Sequence, residues 1–220
     1  TVAKELVFSP REYLASPEYS PDGRWLAYTV DDDAKSINLR LLNLATGAST
    51  DLTTGSHVNH EPAWSPDGKR LAYVSTAPNG YFNVYVMEIA DGKAGRITQI
   101  TTDHDFGRER LYFSPIDVHI SPSWSPDGSK IAFFSNRAAD PDREQAGQIF
   151  VADAKPGSTA QALTTPANFA TRARVEWSPD GSRIAYLETD DQKFGAYSMN
   201  HLATVATDGA RPSARVAAAE

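Results

Sequence analysis

The chain has 220 residues, no cysteine and a formal charge of -7, with 21 Lys and Arg against 28 Asp and Glu. That balance argues against a phosphate-binding surface, because nucleic-acid binders gather Lys and Arg on one face, and the missing cysteines exclude a disulfide framework or a thiolate metal site. No apolar run approaches the ~18 residues of a membrane-spanning helix, and the opening TVAKELVFSP lacks the basic start and apolar core of a signal peptide, so we expect a soluble chain, either mature after cleavage or excised from something longer.

In chain order, the first unit places Tyr19 before SPDG at 20–23, then the apolar run WLAYTV at 25–30 and INLRLLNLATGASTDL at 37–52. The second places Trp64 before SPDG at 65–68, then LAYVS at 71–75 and FNVYVMEIADGKAGRITQI at 82–100. The third places Trp124 before SPDG at 125–128, then IAFFS at 131–135 and QIFVADAKPGSTAQAL at 148–163. The fourth places Trp177 before SPDG at 178–181, then IAYLE at 184–188 and HLATVATDGARPSARV at 201–216. One tetrapeptide recurring four times is an internal repeat.

SPDG reads as a tight hairpin connection. Pro21, Pro66, Pro126 and Pro179 preset φ at the second turn position, and Gly23, Gly68, Gly128 and Gly181 accept the left-handed conformation that returns the chain to pairing. Asp22, Asp67, Asp127 and Asp180 are expected to fix the turn by side-chain to backbone hydrogen bonds. One isolated carboxylate per unit cannot assemble the six to eight oxygens that Ca²⁺ prefers. The flanking runs are rich in aromatic and aliphatic residues, as strands are, and TG, DG, KPG and DG mark a second turn in each unit. Four strands per unit, at turn spacings of 45, 60 and 53 residues, predict an all-β propeller of four-stranded antiparallel blades. A β-sandwich would also be rich in turns, but would not repeat one turn word at blade-like intervals. The expected blades are 9–54, 55–102, 119–165 and 170–216, with an insertion at 103–118, in one domain or part of one over 1–220.

The pattern EPAWSPDGKRLAYVS, followed by VYVMEIADGK and ITQIT, resembles the TolB-like β-propeller repeat. That repeat occurs in TolB proteins, in propellers of prolyl oligopeptidase and dipeptidyl-peptidase relatives, and beside amidohydrolase domains. The resemblance runs from about residue 9 to 216. It implies a periplasmic or secreted setting and a ring of six to eight blades, of which this chain supplies four. An open arc leaves unpaired sheet surfaces at both ends, so a longer propeller, four-blade closure and a ring of two chains are all on the table. The alanine-rich ending favours the first.

No G-x-S-x-G elbow, H-E-x-x-H zinc helix or G-x-x-x-x-G-K-[ST] phosphate loop occurs, so no catalytic residue and no cofactor is assigned. The histidines at 57, 60, 104, 119 and 201 lack metal-ligand spacing, and no metal is expected. Function is sought where the first strand of each blade nears the axis. Strand alternation selects the polar candidates Glu18, Asn59, Glu61, His119, Arg172, Arg174 and Glu176, which either meet a partner or merely solvate a wet channel. The turns share one face, whereas the links 31–36, 76–81, 101–118, 136–147 and 189–199 share the other and hold the insertions. Loops on a rigid scaffold often carry function, and Phe106, Tyr112 and Phe113 could anchor a partner there or cap the blade-three core.

Two functions follow. The chain is a non-catalytic module binding a protein or peptide, with no nucleic acid and no membrane span. Alternatively, as the resemblance implies, it is a substrate-gating propeller whose parent chain carries a serine peptidase or amidohydrolase domain. The opening SPREYLASPEYSPDGRWLAYTV (9–30) resembles peptidase propellers, and RERLYFSPIDVHISPSWSPDGSKIAFFSNR (108–137) resembles amidohydrolase-linked ones.

Overall fold

The computed structural model describes residues 5–31, 36–77, 80, 82–101, 119–135, 147–165, 169–170, 175–189, 200–209 and 214–216. Blade one comprises β1 (Tyr13–Tyr19), β2 (Trp25–Asp31), β3 (Ile37–Asn43) and β4 (Ser49–Asp51), paired in that order. Blade two repeats the order with β5 (Asn59–Trp64), β6 (Arg70–Ser75), β7 (Asn83–Ala90) and β8 (Lys93–Gln99). Blade three has β9 (His119–Trp124), β10 (Lys130–Ser135), β11 (Gln148–Asp153) and β12 (Gln161–Ala162). In blade four, β13 (Phe169–Ala170) and β14 (Glu176–Trp177) both pair with β15 (Arg183–Thr189), which is followed by β16 (Asn200–Ala206) and β17 (Ala214–Arg215). All pairings within the blades are antiparallel, no helix occurs among the described residues, and the blades form a four-bladed β-propeller as the repeat predicts.

Each SPDG turn closes by the same small network. In blade two, Ser65 Oγ donates to Asp67 Oδ1 at 2.6 Å and accepts from the Arg70 N–H at 3.0 Å, while the Lys69 N–H reaches the same carboxylate oxygen at 3.1 Å. Gly68, at φ +67°, supplies the left-handed residue and donates to the Ser65 carbonyl at 2.9 Å. Side-chain hydrogen bonds thus replace the solvent partners of a turn that must reverse the chain between two buried strands.

The blades stack through apolar faces. Leu39, Leu41, Leu71, Tyr85 and Met87 join blades one and two; Val84, Ile100, Ile131 and Phe133 join two and three; Ile149, Val151, Ile184 and Val205 join three and four. Burying each such side chain contributes about 1.5–3 kcal/mol, so the interfaces rather than single sheets hold the fold. Among the described residues, no buried cluster combines blade one with blade four. The face of blade one turned away from blade two, built from Leu26, Tyr28, Val30 and Leu42, packs instead against Val7 of the N-terminal segment and Leu14.

The tryptophans before the turns add a repeated polar rung. Trp64 Nε1 donates to the Glu18 carbonyl at 3.2 Å, Trp124 to Ala63 at 2.9 Å and Trp177 to Ser123 at 3.1 Å. Each indole therefore reaches the first strand of the preceding blade, two residues before that blade's turn serine. The first strands β1, β5 and β9 contact one another in succession, which makes them the inner strands of the propeller.

Candidate functional site

The inner strands carry a feature that plain alternation does not anticipate. Ser16, Glu61 and Ser121 adopt φ of +48°, +54° and +56°, each four residues before its turn serine and each followed by a proline. Pairing with the second strand slips at these points, between Ala15 and Glu18 in blade one and between His60 and Ala63 in blade two. Two residues then oppose one, and side chains on either side of the bulge exchange faces. Leu14 pairs with Val30 on the face turned away from blade two, whereas Glu18 pairs with Ala27 on the face towards it. Asn59 and Ala63 are separated in the same way, opposite Ser75 and Ala72.

The sequence candidates consequently occupy different surroundings. Asn59 is buried, and its Nδ2 donates to the Ile37 carbonyl at 3.3 Å and to Asn38 Oδ1 at 3.2 Å, tying blade two back to blade one. Glu61 reaches forward: its carboxylate accepts a hydrogen bond from the Ser121 N–H of blade three. Glu18 is half-buried and gives its carbonyl to Trp64, and Glu176 is exposed. His119 opens β9. Arg172, Arg174, Phe106, Tyr112 and Phe113 lie outside the described residues, as do most of the insertions expected to form the partner face. Ser16 stands exposed on its inner strand at the strained position.

His60, adjacent to Glu61, does not titrate freely. Burial pushes its imidazole below the ordinary histidine range, against a weaker opposing pull from Glu61, whose Oε1 is 3.8 Å from Nδ1. The ring meets Phe82 edge-on at a centroid distance of 5.7 Å, a neutral packing arrangement. Among the described residues no group of three or more His, Asp and Glu side chains could hold a metal ion.

A second feature, not singled out from the sequence, is a groove of about 840 Å³ on the turn face between blades one and two. Trp25, Arg24, Lys69, Glu88 and Asp91 are among its walls. Its shape depends on the hairpin at Asp91 and Gly92, both at positive φ, which brings the Gly92 Cα against the Trp25 indole. The Asp-Gly pair was the available signal, but its neighbour Trp25 comes from another blade. Most charges here are engaged locally: Arg24 Nε lies 2.6 Å from Asp22, and Arg70 stacks 4.5 Å over Trp124 while donating to the Gly128 carbonyl at 2.9 Å. The turn carboxyls of Asp22, Asp127 and Asp180 are held down at about 2, first by the hydrogen bond from each turn serine.

A model of the TolB beta propeller domain matches residues 2–209. The chain belongs to that family. The Tol-Pal system protein TolB of Francisella tularensis subsp. holarctica is 26% identical, over 84% of this chain and 48% of its own length. The chain thus spans about half the length of the curated relatives it matches. Among solved structures, TolB from Acinetobacter baumannii is 25% identical with a TM-score of 0.64, covering 90% of this chain and 42% of that one. A puromycin hydrolase reaches a TM-score of 0.66 at 15% identity, over 99% of this chain and 31% of that one, and shares the fold alone.

Proposed function

We propose that this TolB-like propeller is a non-catalytic module that binds a protein or peptide partner at its inner strands and on the face bearing its insertions. The observation that supports this reading is the row of strained bulges. Three non-glycine residues at equivalent inner-strand positions are held in a conformation that costs of order 1–3 kcal/mol each, and such outliers gather at binding sites. The bulges re-aim polar groups at the centre of a scaffold whose blade interfaces are otherwise apolar. The proposed setting is periplasmic or secreted, by family resemblance. A parent chain with a hydrolase domain is the other reading of the sequence; its solved counterparts lend it the propeller fold only.

The test is site-specific photo-crosslinking in the organism of origin. A benzophenone amino acid at Ser16 or Glu18, on the inner strand, is compared with one at the exposed Lys155 on the turn face. The reading predicts a discrete protein or peptide adduct from the first two positions and none from Lys155. Adducts that are absent from the inner strand, or equal at all three sites, contradict it.

A further inference from the structure

We infer that the groove between blades one and two is a binding site for a guanidinium, carried on an arginine side chain of a peptide or protein partner. The chain itself displays the occupied arrangement one interface further on.

Five residues after each turn serine, the second strand carries Trp25, Arg70, Lys130 or Arg183. From blade two, Arg70 crosses to blade three. Its guanidinium lies 4.5 Å over the Trp124 ring, and its Nη2 donates to the Gly128 carbonyl at 2.9 Å. The side chain fills the space beside that turn glycine so closely that a Cβ on Gly128 would lie 3.0 Å from Nη2. Between blades three and four the equivalent carbonyl is satisfied from its own blade. Lys130 turns to Asp153 at 2.8 Å, and the Gly181 carbonyl accepts from Thr207 Oγ1 at 2.9 Å.

Neither solution exists between blades one and two. Trp25 stands where the basic residue would be, and Ile89 takes the place of Thr207, each donating its N–H to the carbonyl that follows the turn glycine, but Ile89 has no hydroxyl. The Trp25 indole leans instead onto Gly92 of the blade-two hairpin. A Cβ on Gly68 would meet only Pro21, at 3.7 Å, and among the described residues no donor reaches the Gly68 carbonyl. Gly68, Trp25 and Asp91 all border the groove of about 840 Å³. The slot that Arg70 fills beside Gly128 is therefore open beside Gly68.

The surroundings select the occupant. A guanidinium is a flat cation that donates to a carbonyl while its face stacks on an indole, whereas an ammonium is a compact, strongly hydrated point charge. Asp22, Asp67, Glu88 and Asp91 outnumber the three basic side chains on the walls by one. Asp91 pairs with no cation among the described residues, so a bound arginine gains a carboxylate without displacing another partner. This site lies on the turn face and does not rest on the partner site proposed above.

The test is heteronuclear NMR of the full chain, titrated with a blocked Gly-Arg-Gly tripeptide. The Trp25 indole and the Lys69 amide, which shares its peptide group with the Gly68 carbonyl, should shift along one saturable curve, with the Trp124 and Trp177 indoles unmoved. The citrulline tripeptide, neutral and of nearly the same shape, should bind roughly tenfold more weakly. Asp91→Asn tolerates the left-handed backbone at φ +50° and should weaken binding several-fold. Trp25→Arg places a guanidinium in the slot from within, so the Lys69 amide should stop responding while the circular dichroism spectrum is kept; if that variant does not fold, Asp91→Asn decides alone. A wild-type chain that does not respond, all four indoles shifting alike, equal binding of the citrulline or lysine tripeptide or of guanidinium chloride, or wild-type affinity in Asp91→Asn would overturn the proposal.

Discussion

Replacing Trp124 with Phe isolates one rung between blades while keeping an aromatic ring in place. The indole is 7% exposed, donates to the Ala63 carbonyl at 2.9 Å and lies under the Arg70 guanidinium at 4.5 Å. Removing the donor loses one hydrogen bond to a carbonyl that keeps its ladder partner Ala72, which costs about 0.5–1.5 kcal/mol. Weakening the cation–π contact adds roughly 0.5–1 kcal/mol. The sum is about 1–2.5 kcal/mol, below the roughly 3–5 kcal/mol of a full Trp→Ala truncation. Tyr19→Phe is the control: the same repeat position, 58% exposed, should shift stability by less than about 0.5 kcal/mol. Urea unfolding followed by far-UV circular dichroism avoids using the mutated ring as the probe, and an unchanged slope keeps the midpoints comparable. With a slope of about 2–3 kcal/mol per molar urea, the Trp124 variant should unfold roughly 0.5–1 M earlier. Equal midpoints for the two variants would refute the view that these rings join blades.

Gly92→Ala should lose about 2–4 kcal/mol, combining the cost of a left-handed alanine at φ +73° with a clash of its Cβ against the Trp25 indole. Gly23→Ala, at φ +69° with open space around it, should lose only the roughly 1–2 kcal/mol conformational part; thermal melts of the pair separate the two contributions. The turn carboxyls titrate at about 2 rather than 3.8, so the unfolded chain binds more protons between these values. Their contribution to stability is therefore complete above about pH 4 and is lost towards pH 2, and the Asp22→Asn, Asp127→Asn, Asp180→Asn triple variant should show a shallower fall in melting temperature over that window. Buried His60 has the opposite charge type but the same direction: its depressed pKa means that stability is lost as pH drops below the ordinary histidine value, and His60→Gln should flatten the melting profile between neutrality and about pH 5.

The repeat made the blades legible because each SPDG turn is a local event: Ser65, Asp67, Gly68 and Arg70 satisfy one another within six residues. The strands followed from the apolar runs between turns, and the aromatic before each turn marked a recurrent packing position. The inner-strand bulge was harder to read, although Pro17, Pro62 and Pro122 stand at its repeat position. A proline after a left-handed residue is not part of ordinary strand alternation, and plain alternation puts Leu14 and Glu18 on one face that the slipped pairing divides. The surroundings of Asn59 and Glu61 were hidden for another reason. Their partners, Asn38 and Ser121, lie 21 and 60 residues away in neighbouring blades, so only the packed structure joins them. The groove beside Trp25 likewise needs Gly92 from the next blade.

The repeated aromatic locks each blade to the one before it. The most direct test is hydrogen exchange of the indole Nε1 protons by heteronuclear NMR. The protons of Trp64, Trp124 and Trp177, each bonded to a carbonyl of the preceding inner strand, should exchange only through opening of their blade interfaces and should slow together as stability rises. Rapid exchange of all three at rates typical of solvent-exposed indoles, in a chain that remains folded, would contradict it.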